Sequence, residues 1–165
     1  MQERTSVADA KGVMDLVKRK RLTVITAESC TCGMLASRLS QAEGASQTLH
    51  GGFVTYTKAN KTAALGVPAD LLERKTAVCE EVARAMADGA LARSPADLAV
   101  AITGVAGPEP DPDGNPVGLV HIAAARRGHP TLHLRKDYGD RGREQVLEQA
   151  MSDALSLLRE AAAAA

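Results

Sequence analysis

At 165 residues the chain is long enough for one domain that buries most of its apolar surface without disulfide staples. Its 20 basic and 20 acidic side chains cancel, which excludes the basic footprint of a nucleic-acid binder and a polybasic membrane surface. There is no tryptophan and aromatics make up 2%, so an aromatic stacking platform is excluded as the main binding device. No run approaches the roughly 18 to 20 apolar residues needed to span a bilayer. Cys30, Cys32 and Cys79 form an odd set with no apolar leader before them, so a reducing, cytoplasmic location is expected. The expected partners are a small molecule and a second copy of the chain, a homodimer being the commonest symmetric assembly.

In chain order, the first helical stripe runs through Val7, Ala10, Met14 and Val17, widened by Val13 and Leu16. It ends in the basic run Lys18 to Arg21, a solvated helix end favoured by the dipole. Leu22 to Thr26 reads as a short buried strand, Met34 to Leu39 as a helix, and Gln41 to Gly51 as a loop. Gly52 to Tyr56 reads as a second strand, after which Thr57 caps a helix to Leu65, broken by Gly66-Val67-Pro68. A short helical piece from Ala69 to Arg74 precedes an alanine-rich helix that opens near Glu80 and ends at Ser94-Pro95.

Leu98 to Thr103 is apolar without alternation, the pattern of a strand covered on both faces. A long loop comes next, from Gly104 through Pro108, Pro110 and Pro112 to Pro116. Val117 to Ala125 and Thr131 to Lys136 suit a hairpin. The last helix opens at Asp140 or Arg141 and carries Val146, Ala150, Ala154, Leu155 and Leu158 on its buried stripe, with residues 160–165 and 1–5 expected to fray. The fold class is α/β: one domain over 1–165, a three-layer α/β/α sandwich with a mixed sheet of about five strands.

Sites in such folds gather beyond the carboxyl ends of parallel strands. The first strand end offers Glu28, Ser29 and Cys30, the second Tyr56 with Lys58 and Lys61 nearby, and the third Thr103 followed by Gly104 to Gly107. A serine attacks only when a base removes its proton, and a lysine serves when burial or a neighbouring cation leaves its amine neutral. A Ser-Lys pair fits that logic, while Cys30 remains a second candidate nucleophile, and Ser29 and Thr31 also read as plain helix caps. His50, His121, His129 and His133 have no evident acidic orienting partner and read as structural or surface groups. Cys30-Thr31-Cys32 lacks the spacing of a metal or dithiol site, and Cys79 reads as a packing residue, so no metal and no cofactor is expected.

Several spaced blocks resemble one known family. Thr26 to Gly33 resembles an AESCTGG block, and Gly52 to Tyr56 with Lys61 and Leu65-Gly66-Val67 resembles GxVxYxxxxK...LGV. Ile102 to Pro108 and Pro116 to Val120 resemble TGxAGP and PVGxV. These are the blocks of the C-terminal domain of CinA-type proteins and its stand-alone form, the nicotinamide-nucleotide amidases (NMN deamidases), and they extend over about Val13 to Leu158. The resemblance implies hydrolysis of the carboxamide of nicotinamide mononucleotide to nicotinic acid mononucleotide and ammonia, in pyridine-nucleotide recycling.

By that resemblance Ser29 is the nucleophile, Lys61 its base and Tyr56 a hydrogen-bonding helper. Substrate contacts are expected from Glu28, Thr31, Gly33, Thr103, Gly104, Ala106 and Gly107, with amides near Thr31 to Gly33 on the oxyanion. Arg143, or Arg141 close behind it, is expected on the phosphate, since a guanidinium grips phosphate with two bonds. Cys32 stands where the family carries a glycine, and Leu147 where many members carry a second arginine. The other functional reading is a catalytically silent nucleotide-binding or interaction module with Lys61 protonated.

Overall fold

A computed structural model describes residues 2–165, with side chains from residue 9 onward. The expectations for Val7 and for residues 1–5 therefore lie outside the described side chains. Five strands form one sheet: β1 (Val24–Glu28), β2 (Leu49–Val54), β3 (Leu98–Gly104), β4 (Leu119–Arg126) and β5 (Leu132–Asp137), in the order β2-β1-β3-β4-β5. β1 lies parallel to β2 and β3, and β3-β4-β5 are antiparallel. The sheet is therefore mixed.

The helices are α1 (Gln2–Arg19), α2 (Met34–Ser40), α3 (Ala45–Thr48), α4 (Lys58–Leu65), α5 (Ala69–Arg74), α6 (Glu80–Ala92) and α7 (Arg143–Ala163). Strand side chains alternate between faces. On one face Val24, Val100, Ile102 and Ile122 pack against α1, α2 and α7, and on the other Ile25, Ala27, Ala99, Ala101 and Ala123 pack against α4, α5 and α6. With both faces covered, β3 is continuously apolar, which is why its sequence shows no alternation.

Two boundaries differ from the sequence expectation. β2 begins at Leu49, within the segment read as a loop, because it is an edge strand whose burial alternates, with His50, Gly52 and Val54 on its exposed side. A Cβ on Gly52 would stand 2.4 Å from Thr26 Oγ1 on the neighbouring strand. Glycine at this position, inside the strand as the sequence reads it, is a packing requirement. At the other end, α7 runs on to Ala163, and Ala161 and Ala162 are buried against the core. They continue the Ala154, Leu155, Leu158 stripe, and Arg126 Nη1 donates to the Ala161 and Ala162 carbonyls at 3.2 Å, satisfying the helix end.

Helix α4, which carries Lys58 and Lys61, is fixed at both ends. Thr57 caps its start, Oγ1 accepting from Asn60 N at 3.1 Å, as the sequence predicts. Its far end docks on α6 at Gly89, where a Cβ would meet the Leu65 carbonyl oxygen at 2.0 Å. Only glycine lets the two helices approach that closely. Among the described residues, no helix is long and apolar enough to cross a membrane.

Candidate active site

The parallel strands β1 and β3 end side by side, and the chain turns sharply after Glu28. The Ser29 amide donates to the Ile102 carbonyl of β3 at 3.0 Å, so the turn stays attached to the sheet as it leaves it. Cys32 lies in the left-handed region at φ 48 and Gly33 at φ 91, which reverses the chain into α2. The conformation explains why a glycine suits position 32.

Ser29 and Lys61 meet. Lys61 Nζ lies 2.8 Å from Ser29 Oγ and donates to the Thr55 carbonyl at 2.9 Å. The lysine is 1% exposed, and no carboxylate is hydrogen-bonded to its amine among the described residues. Burial brings its pKa down to about 8, a shift opposed by the nearby Cys30 and assisted by Lys58. About a tenth of the amine is then neutral at pH 7, far more than for a free lysine. Cys30, also buried, is pushed up to about 11 by desolvation, partly offset by Arg143. Its thiol is protonated at neutral pH, which weighs against it as a nucleophile.

The pair opens onto a cavity of about 490 Å³. Ser29, Cys30, Tyr56, Lys58 and Lys61 line one side, Gly104, Val105, Ala106, Gly107 and Arg143 another, and Ala77, Glu109, Asp111, Pro112 and Asp113 close the rest. Arg143, the first residue of α7, anchors on the Gly107 carbonyl through Nη1 at 3.0 Å. Tyr56 stands at the mouth, 56% exposed, and its hydroxyl has no hydrogen bond among the described residues.

Several residues expected at the substrate stand elsewhere. Glu28 is the clearest correction: it is the last residue of β1, fully buried, and its side chain serves α2. Its Oε1 accepts from Leu35 N at 2.8 Å and its Oε2 from Ala36 N and Thr26 Oγ1, both at 3.0 Å. A carboxylate on the orphan amides of a helix start is favoured by the dipole. Thr31 is buried with no partner for its hydroxyl and does not line the cavity. Gly33 borders a separate surface groove with Cys32 and Met34. Thr103 stands behind the wall, donating from Oγ1 to the Ala77 carbonyl at 2.6 Å. Arg141 does not reach the cavity lining, in contrast to Arg143.

The expected oxyanion donors change for the same reason. Cys32 N donates to the Ser29 carbonyl and Met34 N to the Thr31 carbonyl, while Leu35 and Ala36 serve Glu28. In this turn the amides of Cys30, Thr31 and Gly33 donate to no backbone carbonyl among the described residues, and the Cys30 amide lies against its own thiol.

Sequence reasoning missed the acidic outer wall. Asp111 accepts from both the amide and the side chain of Asn115 at 2.7 Å, and Asn115 Nδ2 also donates to Thr76 Oγ1 at 2.7 Å. Asp113 accepts from Lys58 Nζ at 2.8 Å and from Ala77 N at 3.3 Å. The signal was the alternation of Asp111, Asp113 and Asn115 between prolines, a turn-forming pattern with side chains that bond back to the chain.

The histidines also form an arrangement the sequence did not show. His121 on β4 and His133 on β5 are stacked, with Nδ1 of the first 2.9 Å from Nε2 of the second. His133 Nδ1 lies 3.6 Å from Glu80 Oε2, so this histidine does have an acidic neighbour. Burial lowers the pKa of both rings, and each histidine's surroundings add further charge effects. Neither ring lines the cavity.

Residues 7–162 match the family model described as CinA C-terminal domain. A CinA-like protein of Synechococcus sp. strain RCC307 is 43% identical over 151 residues, covering 91% of this chain and 36% of that protein. A putative competence-damage inducible protein of Symbiobacterium thermophilum is 42% identical over 161 residues, covering 90% of this chain and 37% of its own length. The chain thus spans about a third of the length of these curated relatives. Among solved structures, the competence/damage inducible protein CihA from Agrobacterium tumefaciens superposes with a TM-score of 0.89 at 40% identity, over 93% of each chain. A CinA superfamily protein from Escherichia coli gives a TM-score of 0.86 at 39% identity, over 91% of this chain and 86% of that one.

Proposed function

The chain belongs to the CinA C-terminal domain family, and on that footing we propose that it is an amidohydrolase acting on the carboxamide of nicotinamide mononucleotide, with Ser29 as nucleophile and Lys61 as base. The observation that carries this reading is the buried amine of Lys61 at 2.8 Å from Ser29 Oγ, at the floor of a cavity. Neutral Lys61 accepts the hydroxyl proton as Ser29 Oγ attacks the amide carbon. The tetrahedral oxyanion takes hydrogen bonds from the Cys30 and Thr31 amides. The Lys61 ammonium returns its proton to the departing nitrogen, ammonia leaves, and water with Lys61 as base hydrolyses the acyl-serine.

Arg143 and the amides of Ala106 and Gly107 support the phosphate of the nucleotide, the Val105 amide being held by the Leu119 carbonyl, with Arg143 oriented by its bond to Gly107. Tyr56 at the mouth contacts the substrate rather than the nucleophile. We take the chain to act as one domain, as a cytoplasmic homodimer; the free thiols of Cys30, Cys32 and Cys79 support the reducing compartment.

The test is ammonia release from nicotinamide mononucleotide. Wild type releases it, with a rate that climbs as pH rises through about 8, and Ser29→Ala loses about 10³-fold or more. Binding without ammonia would leave the silent nucleotide-binding module as the function. Full activity in Ser29→Ala, lost in Cys30→Ala, would transfer the nucleophile to the thiol.

A further inference from the structure

Lys58 and Lys61 sit one turn apart on α4, and both line the same cavity. Residues three apart on a helix are neighbours on its surface. Lys61 is buried and Lys58 is not: its side chain is 43% exposed, and its ammonium is drawn across the cavity rim by Asp113 at 2.8 Å. Asp113 is itself fixed, accepting from Ala77 N as well, and its carboxyl is held below the usual range first by the Lys58 hydrogen bond. The Lys58 ammonium is thus held at a set place on the wall of the cavity that Lys61 also lines, paired with the Asp113 carboxylate.

We propose that Lys58 is a positioning residue for the protonation of Lys61: its ammonium repels a proton from the neighbouring amine, and Asp113, by pairing with that ammonium, limits the repulsion. The other groups facing Lys61 are accounted for element by element. The β1–α2 turn presents the Ser29 hydroxyl and the protonated Cys30 thiol, and the end of β2 presents the Thr55 carbonyl and, at the mouth, Tyr56. α7 presents Arg143, whose charge acts on the Cys30 thiol, and the 108–116 loop presents Glu109 and Asp111 beside Asp113. Of these, Lys58 shares a helix with Lys61 and is locked by an ion pair, so its charge alone can be removed or unmasked without reshaping the nucleophile turn.

The role of Lys61 as base rests on the proposed amidase reading, but its titration does not, and the experiment tracks the amine directly. Protein carrying lysine labelled with carbon-13 at Cε is titrated by NMR, with the Lys61 signal identified by its loss in Lys61→Met. Lys58→Met raises the Lys61 midpoint by about half a pH unit, as expected for one partly screened charge nearby. Asp113→Asn, which breaks the same ion pair from the other side, lowers it by a similar amount, and Lys58→Arg leaves it in place. If the enzyme is active, the alkaline rise of its rate moves with the NMR midpoint in each variant. A loosened loop would move both broken-pair variants alike. Any result other than opposite shifts in Lys58→Met and Asp113→Asn overturns the proposal, and it does so whether or not ammonia is released.

Discussion

Lys61 of α4 meets Ser29 of the β1–α2 turn at 2.8 Å, and His121 of β4 meets His133 of β5 at 2.9 Å. Both contacts join groups from different elements, and in both, burial holds a basic side chain below its ordinary proton affinity. What separates them is their surroundings. The first pair faces a cavity with an arginine, a glycine-rich wall and turn amides that bond no backbone carbonyl, whereas the second is closed between the sheet and α6. α6 meets β5 at further points: Arg84 pairs with Glu80 and bonds the Thr131 carbonyl, and Thr131 Oγ1 donates to Asp88 at 2.7 Å. A depressed base is therefore not sufficient to mark a site. Access and spare donors complete the case for Lys61 and are lacking for the histidines.

Exchanging one member of each pair should separate the two most clearly. Lys61→Met is expected to reduce ammonia release by about 10³-fold or more while leaving chemical denaturation nearly unchanged, since a buried amine is replaced by an apolar chain of similar length. His121→Phe is expected to keep the rate near wild type and to cost about 1–3 kcal/mol, because His133 loses its partner. If His121→Phe abolished ammonia release, the histidine pair would have to be joined to the proposed chemistry.

The pairs also part in how they tie stability to pH. For both, the folded-state pKa lies below the unfolded one, so the unfolded chain binds the extra proton and stability falls as pH falls. The windows are separate: for Lys61 the loss runs from about 10.5 down to about 8 and is complete at neutral pH, whereas for the histidines it begins near 6.5 and continues below. Melting temperatures of wild type should drop on acidification below about pH 6.5, and a His121→Phe/His133→Leu variant should drop less there. An unaltered slope in that variant would show that the histidines do not govern acid sensitivity.

The smallest effect concerns strain, which is present at only one of the two places. Cys32, three residues after Ser29, holds φ 48, while neither histidine strand residue has a positive φ. Cys32→Gly should gain about 0.5–1 kcal/mol in urea melts. A loss instead would mean that the thiol packs usefully in the groove beside Met34 and Ser37.

The parts of this molecule that arise from local pattern were legible in its sequence. The unalternating run of β3, the cap at Thr57 and the β4–β5 hairpin are properties of a few adjacent residues. The convergence of Ser29 on Lys61 was expected from the resemblance and from strand ends, but their separation depends on α4 docking against α6 at Gly89, which no local pattern records. Glu28 was misplaced because a carboxylate beside a serine looks like chemistry, whereas strand register buries it and gives it to α2. The start of β2 was missed for a related reason: Leu49 and His50 are strand because β1 lies alongside, with Val24 paired to Leu49.

The bonds from Glu28 to Leu35 and Ala36 have a further meaning for the serine between them. They close residues 28–36 into a ring, part covalent and part hydrogen-bonded, with Ser29 on its circumference. A ring of this kind has surrendered its conformational entropy during folding. Ser29 is therefore oriented before any ligand arrives, and binding energy is not diverted to ordering it.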